Sequence, residues 1–176
     1  MNRSIAYYES WASHRVCNIY EASDIDPTTY THINFAFALL DEQGRVKLSM
    51  DNDTVLFDQL KDVRTKAIGD LHLWIAVGGY AVGSGPFSKL AATPPGRRNF
   101  IDSVCKFMDK YEFEGMDLDW EYPAAAETGG VPADKANMVA LAKEYRAQCK
   151  GKGLSITVPG GTCKPCPFLF QVTQSI

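Results

Sequence analysis

The chain has 176 residues, 45 % of them hydrophobic and 22 % charged, a profile that fits one globular domain or part of a larger one. A net charge of -3, with no Lys/Arg cluster, argues against a nucleic-acid groove, and no apolar run is long enough to cross a bilayer. The start, "MNRSIAYYES", holds no apolar stretch of signal-peptide length, so any export signal is expected upstream.

"SIAYY" (4–8) reads as a short strand, and "THINFAFALL" (31–40) as a second, continuously apolar one. The connection between them (9–30) reads as irregular. Residues 51–69 carry Val55, Leu56, Leu60, Val63 and Ala67 at helical spacing, with Asp53 or Thr54 to cap the start and Gly69 to close the end. "LHLWIAVGG" (71–79) is a buried strand running into a Gly-Gly turn. Residues 94–111 open with prolines and then place Phe100, Val104, Phe107, Met108 and Tyr111 on one helical stripe. "FEGMDLDWEY" (113–122) reads as a strand stopped by Pro123, followed by a loop over 124–133. A helix over 134–153 turns Met138, Leu141, Ala142, Tyr145 and Cys149 inward, and "LSITVPG" (154–160) is the last strand.

Strands that alternate with helices predict parallel pairing through right-handed crossovers. A doubly wound open sheet and a (β/α)₈ barrel both satisfy that order. The fourth long strand discriminates between them. Successive strand side chains point to opposite faces, so Met116, Leu118, Trp120 and Tyr122 point one way and Asp117, Asp119 and Glu121 the other. A doubly wound sheet would bury those acids against helices. A barrel lets one face line the interior, which opens at the C-terminal strand ends where active sites sit. The barrel is therefore favoured. Five strands are used by residue 158, whereas a whole barrel takes about 250 residues. The chain thus reads as a (β/α)₈ TIM barrel truncated to about the first five βα units, with its interior face and edge strands unprotected.

Residues two apart on a strand lie about 6.6–7 Å from each other. Three carboxylates at that spacing repel, so at least one should keep a proton near neutral pH. A protonated carboxyl is what general-acid chemistry requires. Glu121, outermost and on the longest stem, would reach a leaving group, while Asp119 and Asp117 behind it could share a proton. Spacing alone leaves a solvated strand face open as well. A divalent-metal site fits poorly, because three acids on one rigid strand do not wrap a cation. Glycoside hydrolysis normally uses two carboxyl groups from opposite sides of the sugar. Three acids on one strand approach from one side only. The second role must then come from another strand or from an N-acetyl group of the substrate itself.

Of the five cysteines, Cys105 and Cys149 fall on helices and could bridge, though two small buried apolar residues is the favoured reading. Cys163-Lys-Pro-Cys166 has redox or zinc spacing, but the histidines (His14, His32, His72) lie far upstream.

"EGMDLDWEYP" resembles the DGxDxDxE signature of glycoside hydrolase family 18, the chitinases. "AYYESWA", "THINFAFA" and "LWIAVGG" resemble the family's first, second and SxGG third strands, in order, over about residues 4–160, in the style of fungal killer-toxin-type enzymes. The resemblance implies a (β/α)₈ barrel and a secreted, chitin-degrading hydrolase. Its substrate would be chitin or chito-oligosaccharide, with no metal or organic cofactor, no nucleic-acid or membrane partner, and a monomeric state. It implies that Glu121 is the proton donor, that Asp119 orients the acetamido group, and that Asp117 shares a proton with Asp119. Tyr7, Trp11, Phe37, Gly79, Tyr80 and Tyr122 match substrate-lining positions. The departures are Glu114 for the signature's first acid, expected in a support role, Ala76 for the serine of SxGG, and Tyr80 for a tryptophan. On that resemblance the chain divides into a partial catalytic domain over 1–160 and a divergent tail over 161–176. A chitin-binding, lectin-like relative without catalysis and a non-functional fragment are the rival readings.

Overall fold

The computed structural model describes residues 3–159; the tail with Cys163 and Cys166 lies outside them. Five parallel strands form one sheet in chain order: β1 (Ile5–Glu9), β2 (His32–Leu40), β4 (His72–Gly78), β5 (Gly115–Asp119) and β6 (Gly153–Ile156). A two-residue strand, β3 (Val46–Lys47), hairpins back onto β2. Helices α1 (Asp53–Thr65), α2 (Gly85–Ala91), α3 (Pro94–Tyr111) and α4 (Asp134–Gln148) follow the strands. Two 3₁₀ turns, Ser10–His14 and Ala22–Asp24, fill the irregular first connection.

The two faces of the sheet differ as the alternation requires. Ile33, Phe35, Leu73, Ile75, Met116 and Leu118 bury completely in one hydrophobic core with α1, α3 and α4. The opposite face carries Tyr7, Asn34 and Trp74 in one row, and Ala36, Ala76, Asp117 and Ser155 in the next. The indole of Trp74 lies flat across Gly115 and Gly153. A Cβ at Gly153 would come within 2.1 Å of Trp74 Cζ2. Forcing a methyl into a filled space typically costs about 1–3 kcal/mol. Gly153→Ala is therefore expected to lower stability by that amount in urea unfolding, and an unchanged midpoint would refute this packing.

Several element boundaries depart from the sequence reading. Asp53 does begin α1, but its buried carboxylate turns back to accept from Ser49 N and Met50 N at 2.8 and 2.9 Å. The helix ends at Thr65, not at Gly69. Its inward face includes Phe57, while Val55 is 57 % exposed. The helix read over 134–153 ends at Gln148, where the Cys149 amide closes onto Tyr145 O at 2.8 Å. Cys105 and Cys149 form a disulfide, which overturns the reading of two free buried thiols. The helix α2 was not anticipated, since seven residues starting at Gly-Pro show too little periodicity. It supplies Phe87, fully buried and stacked on Trp120 at a centroid distance of 5.6 Å.

Candidate active site

The acid-bearing strand ends at Asp119, three residues short of the expected boundary. Trp120 then buries completely behind the sheet, and Glu121 sits on the turn beyond, half-buried. Tyr122 does not keep the alternation: its phenol shares a hydrogen bond with Glu121 instead of joining the core. The turn is held from beneath. Ser84 Oγ donates to Tyr122 O at 2.6 Å and lies 3.0 Å from Thr128 Oγ1. The buried Asp134 carboxylate accepts from Val131 N, Ser88 Oγ and Ala124 N at 2.7, 2.7 and 3.1 Å. The loop carrying Glu121 is therefore tied to α2 and α4 by polar contacts rather than by strand pairing.

The neighbouring strand end is shaped to approach it. Gly78 has a φ of +115°, and a Cβ there would lie 2.4 Å from Asp119 O. Only glycine permits that backbone and that distance. Gly79 N donates to the same carbonyl at 3.0 Å.

Asp117 and Asp119 are almost fully buried, at 2 % and 3 % exposure. Uncharged hydroxyls surround them. Tyr7 Oη donates to Asp117 Oδ2, and Ser155 Oγ to Asp117 Oδ1. Thr157 Oγ1 lies 2.6 Å from Asp119 Oδ1 and 3.2 Å from Asp117 Oδ2. Burial first, then the hydrogen bond and charge of Asp117, push the Asp119 carboxyl from its ordinary 3.8 up to about 8. Of the two inner acids, Asp119 is the one whose protonated form these surroundings favour. Burial and the same Asp117 hold the Tyr7 phenol well above its usual range, so it stays a donor.

The raised Asp119 value has a sign that can be tested. The unfolded chain releases this proton near pH 4 and the folded chain only near pH 8. Between those limits the folded state binds more protons, so stability falls as pH rises, by at most about 1.4 kcal/mol per unit. Below pH 4 both states are protonated, and above pH 8 both are ionised. Asp119→Asn is expected to flatten that slope in urea unfolding between pH 5 and 8. An unaltered slope would contradict the assignment.

The aromatic residues singled out in the sequence are not all in one place. Tyr7 stands against the inner acids. Trp11 and Phe37 stack at 6.1 Å with a 26° tilt, and the Phe37 ring lies over Gly79. Together with Tyr80, which is 72 % exposed, they line a hollow of about 270 Å³ at the strand ends. Tyr122 stays with Glu121. A larger hollow of about 1020 Å³ lies between the β2–β3 hairpin and α2, but no ladder acid lines it. Glu114 sits at the opposite strand ends, where it pairs with Arg64 at 3.1 Å and with His72. That is a structural tie, as expected. Sequence reading missed Ser155 and Thr157. Their signal was the alternation of "LSIT", polar side chains at every second position of the strand next to the acids.

The model for "Glycosyl hydrolases family 18" matches residues 3–166. An endochitinase of Manduca sexta is 35 % identical over 162 residues, which cover 88 % of this chain and 29 % of that protein. Among solved structures, catalytic domain 2 of the Group II chitinase of Ostrinia furnacalis superposes with a TM-score of 0.81 at 30 % identity, covering 89 % of this chain and 43 % of that one. A mutant of the same domain was solved with a chito-oligosaccharide, (NAG)5, with a TM-score of 0.80, 30 % identity and the same coverage. The parallel sheet described above is thus part of a (β/α)₈ barrel, and the chain spans less than half the length of these relatives.

Proposed function

The chain belongs to family 18 of the glycosyl hydrolases, and on that premise we propose that its acid ladder is the catalytic centre of a chitinase-type enzyme. The substrate is a β-1,4-linked polymer or oligomer of N-acetylglucosamine. Glu121 gives a proton to the glycosidic oxygen as the bond from C1 to that oxygen breaks. The carbonyl oxygen of the substrate's own acetamido group bonds to C1, forming an oxazolinium ion. Asp119 orients that group and balances its charge, and Asp117 holds Asp119 from behind. Water, losing a proton to Glu121, then opens the ring and restores the starting configuration. The stacked Trp11 and Phe37, with Tyr80, offer aromatic faces to sugar rings.

One observation supports substrate assistance above all. The ladder supplies its acids from one side, Asp117 and Asp119 on β5 and Glu121 on the turn beyond it. Glu9, the nearest acid by register on β1, is engaged by Arg15. The (NAG)5 complex of the Ostrinia furnacalis domain agrees with the proposed substrate class.

The test compares two pentamers, one of N-acetylglucosamine and one of glucosamine. Cleavage of the acetylated pentamer alone is expected. Equal cleavage of both would refute substrate assistance. Binding without turnover would favour the lectin-like reading.

A further inference from the structure

The hydrogen-bonding face behind the acids is assembled in an unusual order. Ala76 lies beside Asp117 in the sheet register, and its methyl is fully buried. The SxGG motif that this strand resembles has a serine there. Alanine brings no hydroxyl to the inner acids from β4. Besides the Tyr7 phenol on β1, the hydroxyls come from the other flank of β5. Ser155 is the register partner of Asp117 and donates to it. Thr157 follows two residues later, its amide bonded to Leu118 O at 3.2 Å, so its side chain shares the face of Ser155.

Thr157 Oγ1 touches three groups: Asp119 Oδ1 at 2.6 Å, Asp117 Oδ2 at 3.2 Å and Tyr7 Oη at 3.2 Å. A threonine hydroxyl has one hydrogen and two lone pairs. The single hydrogen of Tyr7 is committed to Asp117 Oδ2. With Asp119 ionised, Thr157 donates to its Oδ1. With Asp119 protonated, the acid's proton lies toward Asp117, to which it is bonded directly, and Thr157 keeps its place between the two carboxyls, its hydrogen directed to Asp119 Oδ1 or Asp117 Oδ2. In either state both buried acids stay hydrogen-bonded. A buried carboxyl left without such a partner in either state would be strongly penalised.

We infer that Thr157 is a positioning residue, whose hydroxyl fixes the Asp119 carboxyl against Asp117 in both of its charge states, in place of a hydroxyl at position 76. Its bearing on catalysis rests on the proposed role of Asp119. The titratable groups that face Asp119 are Asp117 on its own strand, Tyr7 on β1, and Glu121 and Tyr122 on the turn beyond. None of them is altered by a change at Thr157.

The experiment is a carboxyl-carbon NMR titration of the 176-residue chain, in which the Asp119 signal is identified by its loss in Asp119→Asn. Thr157→Val removes the hydroxyl and keeps the shape. Ionised Asp119 then loses a donor, so its midpoint should rise by about one pH unit or more. Thr157→Ser keeps the hydroxyl and should titrate within about 0.3 unit of the wild type, because the donor to the carboxylate is retained. Thr157→Ala, which adds no bulk, should repeat the upward shift if the valine variant fails to fold. A midpoint unmoved in the hydroxyl-free variants, or a serine variant displaced as far as they are, would overturn the inference. The titration reads Thr157 without any turnover. A wild-type chain that cleaves no chito-oligosaccharide would count against the proposed function and leave this result standing.

Discussion

Glu121→Gln is expected to cut hydrolysis of N-acetylglucosamine oligomers by roughly 10²–10⁴-fold, the usual contribution of a positioned general acid. The amide has nearly the shape of the carboxyl but no proton to give to the leaving oxygen. The site predicts that little else changes. Glu121 is half-buried on a turn beyond β5, outside the hydrophobic core. The turn is held by Ser84, Thr128 and Asp134 through backbone atoms and not through the Glu121 side chain. The glutamine oxygen can still accept from Tyr122. Thermal unfolding and oligosaccharide binding should therefore stay close to wild type while turnover falls. Turnover reduced less than a few-fold would remove Glu121 from the role of proton donor.

Replacing Cys105 and Cys149 together by alanine should lower stability by about 4 kcal/mol, from the loop-closure entropy that a bridge across a sequence separation of 44 removes from the unfolded chain. The bridge ties α3 to the end of α4 in the outer layer, while the acids lie on the inner face of the sheet. The loss should appear in urea unfolding and be reproduced by reducing the wild-type chain. The midpoint of Asp119 should not move. A loss below about 1 kcal/mol would mean that the bridge adds little to the helix packing already there.

The parity of Met116, Asp117, Leu118 and Asp119 was legible because a period of two has one meaning once one face must be buried. Residue patterns of that kind place side chains on faces but do not say where a strand stops. Just past the stop at Asp119, Trp120 packs on Phe87, which belongs to a seven-residue helix too short to show a period. The same limit explains Val55. Its helical spacing was compatible with burial, yet the face that meets the sheet is centred on Leu56, Phe57 and Leu60. The Cys105–Cys149 bridge needed the distance between two helices, a Cα separation of 5.8 Å, which no single-chain spacing contains. Ser155 and Thr157 show the opposite case. Their alternation was visible, but its meaning required knowing that β6 lies next to β5.

The most direct test of the whole account follows the anomeric protons of a freshly cleaved N-acetylglucosamine oligomer by NMR, before mutarotation blurs them. Attack by the substrate's acetamido oxygen, followed by water, inverts C1 twice, so new reducing ends should appear first as the β-anomer, and Glu121→Gln should abolish the signal. Initial release of the α-anomer would mean a single displacement by water, and a one-sided ladder of acids could not then be the machinery that performs it.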